Sequence, residues 1–108
     1  SVDYPDFAHK VASGVSSGKF ETGILVCGTG IGMSITANKH DGVRAAVVES
    51  VDAAKYTRLH NNANVLCIGS RITPWERAIE IIKTFLTTEF EGGRHQKRID
   101  KIHTLTNL

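Results

Sequence analysis

An α/β fold with a parallel sheet is predicted by three features of the sequence. Apolar runs that read as strands recur at residues 23–27, 43–48 and 64–69, and each is followed by a stretch with helical spacing. The first run, Gly23-Ile24-Leu25-Val26-Cys27, is continuously apolar, the pattern of a strand covered on both faces. The strands alternate with helices, which implies right-handed crossovers.

Each element has its own local signal. Residues 3–17 read as a helix: Asp3 can cap it, Pro5 suits its first turn, and Phe7, Val11 and Val15 recur four apart on one face. Gly18 ends it and the first strand follows. Gly28-Thr29-Gly30-Ile31-Gly32 then leads into a helix over 33–39, and Asp41-Gly42 turns the chain into the second strand, 43–48. Residues 52–59 are helical, with Ala53, Ala54 and Lys55 as good formers, and Asn61-Asn62 breaks them before the third strand. Thr73-Pro74-Trp75-Glu76 spells a capping box with Pro in the first turn. Ala78, Ile81, Ile82, Phe85 and Leu86 form the apolar stripe behind it. Gly92-Gly93 stops that helix, and 94–103 is a basic amphipathic helix with Ile99 and Ile102 on one side.

Length and composition bound the function. The 108 residues are expected to form one domain, 1–108, with an ordinary globular balance of 41% hydrophobic and 22% charged residues. The apolar runs are far shorter than the ~20 residues a membrane-spanning helix needs. No basic-then-apolar leader opens the chain, and two cysteines 40 positions apart suit a reducing cytoplasm. The net charge of +2 is local: Arg94, Lys97, Arg98 and Lys101 face one acid, Asp100, while the rest carries 9 basic and 10 acidic side chains. No aromatic interleaves this basic cluster, so nucleic acid is not the expected partner. A solvated face or a phosphate clamp built from Arg94 and Arg98, four apart on one helical face, accounts for it.

The glycine loop carries the chemistry. Ligands of open parallel sheets bind beyond the carboxyl ends of the strands, where Cys27 and three glycines stand directly before a helix. Such a loop points N–H groups inward and suits a phosphate or a developing oxyanion. A dinucleotide fingerprint fails at its third glycine, where Met33 stands, although Glu49 lies at a ribose-binding distance along the chain. A phosphate loop lacks its Lys, and a cysteine-phosphatase loop lacks its Arg, again at Met33. What remains is a cysteine used as acid–base or nucleophile, its thiolate stabilised by loop N–H groups. Cys67, within the third strand, reads as an inert buried side chain. His60, at the end of a helix, is a candidate proton donor or a helix-end residue meeting the last carbonyls. His9, His40, His60, His95 and His103 share no metal-ligand spacing, and no metal or other cofactor is expected.

Taken together, several segments resemble the B-type ribose-5-phosphate isomerases and their galactose-6-phosphate relatives. They are 2–7, Gly23-Ile24-Leu25-Val26-Cys27-Gly28-Thr29-Gly30-Ile31-Gly32-Met33-Ser34, Ala37-Asn38-Lys39, Gly42-Val43-Arg44-Ala45-Ala46, Arg58-Leu59-His60-Asn61-Asn62-Ala63-Asn64-Val65-Leu66 and Gly92-Gly93-Arg94-His95-Gln96-Lys97-Arg98. The resemblance implies a Rossmann-like three-layer α/β/α domain that interconverts ribose 5-phosphate and ribulose 5-phosphate without metal or nucleotide. It also implies a homodimer or tetramer whose active sites are shared across the interface. Cys27 then matches the base that moves a proton between C1 and C2. Gly28, Gly30, Ile31 and Gly32 belong to the loop holding the enediolate oxygens, with Thr29 beside the reacting centre. His60 matches the group assisting ring opening, Asn61 a hydroxyl contact, and Tyr4 a residue near the sugar. Arg71, Arg94 and Arg98 match phosphate ligands, the last two reaching across from the partner. The family's chains open with a further strand–helix–strand segment of roughly 40 residues, in a domain of ~150. The sequence, which starts at Ser1 without Met, is therefore expected to be N-terminally incomplete and to lack N-terminal strands. A galactose-6-phosphate isomerase is the alternative within the family. Outside it, a cysteine phosphocarrier of a sugar phosphotransferase system also places Cys-Gly-Thr-Gly after a strand.

Overall fold

The computed structural model describes residues 3–108; Ser1 and Val2, the latter opening the first matched segment, lie outside the described residues. Five helices and three strands follow in the order α1 (Tyr4–Ser16), β1 (Gly23–Cys27), α2 (Ile31–Ala37), β2 (Ala45–Val47), α3 (Val51–Leu59), β3 (Val65–Gly69), α4 (Trp75–Thr87) and α5 (Arg94–Thr106). The sheet is parallel throughout in the order β1-β3-β2, with Gly23 opposite Val65, Cys27 opposite Gly69 and Ala45 also opposite Val65.

Alternation along β3 builds the three layers. Val65 and Cys67 point into one cluster with Ala8, Ala12 and Val15 of α1 and Met33 and Ala37 of α2. Leu66 and Ile68 point into the other, with Ala54 of α3 and Ala78, Ile81 and Phe85 of α4. All five β3 residues are buried, as expected of a central parallel strand, and each large aliphatic side chain so buried is worth ~1.5–3 kcal/mol. Among the described residues no helix is long and apolar enough to cross a membrane.

Several local expectations are corrected. β1 is an edge strand here, and its second face is only partly covered: Ile24 packs against the Leu66–Phe85 cluster, but Val26 is 47% exposed. On α1 the buried stripe is Ala8, Ala12 and Val15, with Phe7 exposed, because small side chains let the helix lie close to the sheet. Asp3 stands at the N-cap of α1 but its side chain makes no capping bond. The capping box fails at α4: Pro74, in extended backbone, holds the N-cap position, and the buried Thr73 Oγ1 has no hydrogen-bond partner among the described residues. Leu86 is likewise exposed, and α5 runs on to Thr106.

Because the strands are parallel, the segments following them share one edge of the sheet and those preceding them share the other. The first edge carries Cys27 and the glycine loop, the second carries 60–64. Five residues of β3 separate the two edges, roughly 13 Å at ~3.3 Å per residue.

Candidate functional site

At the carboxyl edge the chain folds tightly around a sulfur. Gly30 N–H donates to Cys27 Sγ at 3.1 Å, the contact a thiolate would accept, and Ile31 N–H donates to Thr29 Oγ1 at 3.2 Å. The N–H groups of Gly28 and Thr29 have no backbone acceptor among the described residues, which leaves them available to a ligand oxygen. α2 starts two residues earlier than its sequence suggests, at Ile31, so Ile31 and Gly32 form its first turn. Gly30 has φ +79°, and a Cβ there would also press on the β3 backbone at Ile68 and Gly69.

The loop is set by its neighbours. Ser70 N–H and Arg71 N–H donate to the carbonyls of Cys27 and Gly28 at 2.8 and 3.0 Å, which binds the end of β3 to the glycine loop. That pairing lays the Arg71 guanidinium beside Gly28, where a Cβ would stand 3.4 Å from Arg71 Nε. From the other side the Tyr4 ring lies over Gly32, whose absent side chain makes room for it. Gly69 lets the loop approach β3, for a Cβ there would meet the Thr29 carbonyl oxygen at 2.5 Å. Gly69→Ala is accordingly expected to push the loop off the strand, costing ~1–3 kcal/mol of stability. Thermal melts would read this as ~4–8 °C per kcal/mol, and turnover should fall with it. Cys67, one strand over and fully buried, has its thiol pushed up to about 12 by burial and by Cys27, in keeping with an inert role.

His60, Asn61, Arg94 and Arg98 are not brought to this loop by their own chain. His60 caps the C-terminus of α3 at the amino edge, where its ring stacks on His95 (centroids 4.3 Å apart, planes 16° apart) and lies near Tyr56. Glu91 N–H donates to the Leu59 carbonyl at 3.1 Å, and the Glu91 carboxylate stands 4.0 Å from His60 Nε2. The turn at Gly92-Gly93, with φ of +76° and +58°, then starts α5 so that His95 is buried against His60 while Arg94 and Arg98 face outward. Among the described residues neither arginine, nor Arg71, makes a salt bridge.

Residues that the sequence did not single out hold this second corner together. Arg58 donates to Asn62 Oδ1, to the Ala63 carbonyl and to the Thr88 carbonyl at 2.8, 2.7 and 3.0 Å, tying the ends of α3 and α4. Arg44 donates to the Asn62 carbonyl at 2.9 Å, and burial, then the nearby Arg58, pushes its pKa down. Asn62 itself sits at φ +46°, a conformation asparagine tolerates, and so fixes the turn that displays Asn61.

Comparison with known proteins gives a consistent result. The family model described as Ribose/Galactose Isomerase matches residues 1–102. The chain is similar to ribose-5-phosphate isomerase B of Escherichia coli, 47% identical over 100 residues, which are 93% of this chain and 67% of that protein. It superposes on the type B ribose 5-phosphate isomerase of Trypanosoma cruzi with a TM-score of 0.97 at 52% identity, covering 99% of this chain and 72% of the other. Ribose-5-phosphate isomerase B of Mycoplasma genitalium, solved with bound ribulose-5-phosphate, superposes with a TM-score of 0.95 at 49% identity, covering 99% and 71%. The chain spans about two thirds of the length of the curated relatives it matches.

Proposed function

The chain belongs to the ribose/galactose isomerase family, and from that premise we propose that it interconverts ribose 5-phosphate and ribulose 5-phosphate as a homodimer with shared active sites. The observation that carries this reading is the carboxyl-edge loop: one thiol receiving an N–H at 3.1 Å, free loop amides beside it, and an unpaired guanidinium at its rim.

Cys27 removes the proton at C2 of the opened aldose and returns it at C1, so one base serves two adjacent carbons and no proton is gained or lost. The negative charge that builds on the oxygens meets the N–H groups of the Gly28–Gly32 loop, and a single such donor is typically worth ~3 kcal/mol. Thr29 lies beside the reacting carbons and Tyr4 against the sugar. Arg71 holds the phosphate together with Arg94 and Arg98 of a second copy, binding energy remote from the reacting atoms that orients the chain. Because His60 and Asn61 stand at the opposite edge of the sheet from Cys27, they too are supplied by the second copy: His60 for ring opening and Asn61 for a hydroxyl. The basic helix 94–103 is thus an interface element. Two unpaired thiols, one of which must stay reduced to act as a base, support a reducing, cytoplasmic setting.

Incubation with ribose 5-phosphate should yield ketose, at a rate that chelation by EDTA leaves unchanged. Preference for galactose 6-phosphate in parallel assays would move the chain to the other branch of the family. Phosphorylation of Cys27 by a phosphocarrier, with no ketose formed, would replace the reading altogether.

A further inference from the structure

Sugar isomerisation leaves part of the amino-edge corner unused. Nδ1 or Nε2 of His60 and of His95 and a carboxylate oxygen of Glu91 all lie within 4.8 Å of one another. His95 is only 7% exposed, yet its ring takes part in no side-chain hydrogen bond among the described residues. We infer that His60, Glu91 and His95 form a binding site for a divalent transition-metal ion of the zinc class, and that its occupancy withdraws His60 from ring opening. The inhibition rests on the isomerase reading; the binding does not.

Two imidazoles and one carboxylate converging on a point are the donor set that zinc, cobalt and nickel prefer, with an open position left for water. An ion with bonds of ~2.0–2.1 Å wants its ligand atoms closer than they now stand. The side chains that must move are the two free to do so, Glu91 with 57% and His60 with 40% of its side chain exposed. His95 supplies the fixed ligand. A metal lies in the plane of each ring it binds, so binding also opens the His60–His95 stack. Arg94 and Arg98 on the same helix oppose a cation, which makes occupancy reversible. Sequence spacing hides the site, because its ligands come from the end of α3, the loop after α4 and the first turn of α5.

Titration of the full chain with cobalt(II), followed by its visible absorption, tests the site directly. One ion per chain is expected, displaced by zinc. His95→Gln and Glu91→Gln should each weaken binding at least about tenfold without altering the circular dichroism, while Cys27→Ala and His9→Ala bind as the parent does. Zinc should inhibit ketose formation in the parent and spare His95→Gln. Cobalt binding unchanged in both ligand variants, or lost with Cys27, overturns the site. Cobalt bound without loss of turnover overturns the inhibition. A chain that binds cobalt but forms no ketose under any condition refutes the isomerase reading and leaves the site standing.

Discussion

Cys27→Ala should abolish ketose formation from ribose 5-phosphate, lowering turnover by about 10²–10⁴-fold, the usual contribution of a positioned base. Binding of the sugar phosphate, followed by calorimetry, should survive. Abstraction of a proton beside a carbonyl needs a base within hydrogen-bond reach of two adjacent carbons, and the loop offers one such group. Its other residues are glycines, Thr29 and Ile31, with Met33 and Ser34 in the helix beyond, and none can take that proton near neutral pH. Cys67 cannot substitute, since it is buried within β3 with its thiol held in the neutral form. Cys27→Ser separates shape from acidity. A hydroxyl fills the same space and accepts the Gly30 N–H, so the loop should keep its form while turnover stays lost. Near-normal turnover in either variant refutes the assignment of the base.

What the sequence made legible follows from the reach of its signals. The five-residue apolar run of β1, the Gly28–Gly32 loop and the helical periods of α1 and α5 are local patterns, and their boundaries hold to within a few residues. Other features were out of reach. The buried face of α1 is lined by Ala8 and Ala12, whose small side chains carry little hydrophobic signal beside Phe7. The Thr73–Glu76 spacing fits a capping box, but Pro74 in extended backbone delays the helix and strands the Thr73 hydroxyl. The meeting of His60, Glu91 and His95 depends on tertiary placement. Consecutive crossovers set α3 and α4 on one face of the sheet, and the Glu91 N–H bond to Leu59 brings their linkers together. Neither the strand order β1-β3-β2 nor the division of the site residues between two edges is written in any local pattern.

That division yields the second large effect. Cys27 and a ring-opening histidine must both come within hydrogen-bond reach, roughly 2.6–3.2 Å, of neighbouring atoms of one sugar. In this chain they stand at opposite ends of a five-residue strand, Cys27 opposite Gly69 and His60 ahead of Val65. The proposed two-fold interface would resolve the conflict by setting the carboxyl edge of one copy against the amino edge of the other. His60→Ala alone should then be as crippled as Cys27→Ala, by about 10²-fold or more. If the two variants are co-expressed with different affinity tags and purified through both, each heterodimer holds one site with Cys27 and His60 intact and one with neither. Its turnover per dimer should recover to about half that of the parent, since a two-fold dimer has two equivalent sites. A site confined to one chain predicts the opposite: every protomer would still lack one essential group, and the heterodimer would be as inactive as either variant by itself. The same cross places the phosphate clamp. Arg98→Ala carried on the Cys27→Ala chain should weaken substrate binding in the surviving site, because that chain supplies it with His60 and α5, whereas carried on the His60→Ala chain it should leave that site untouched.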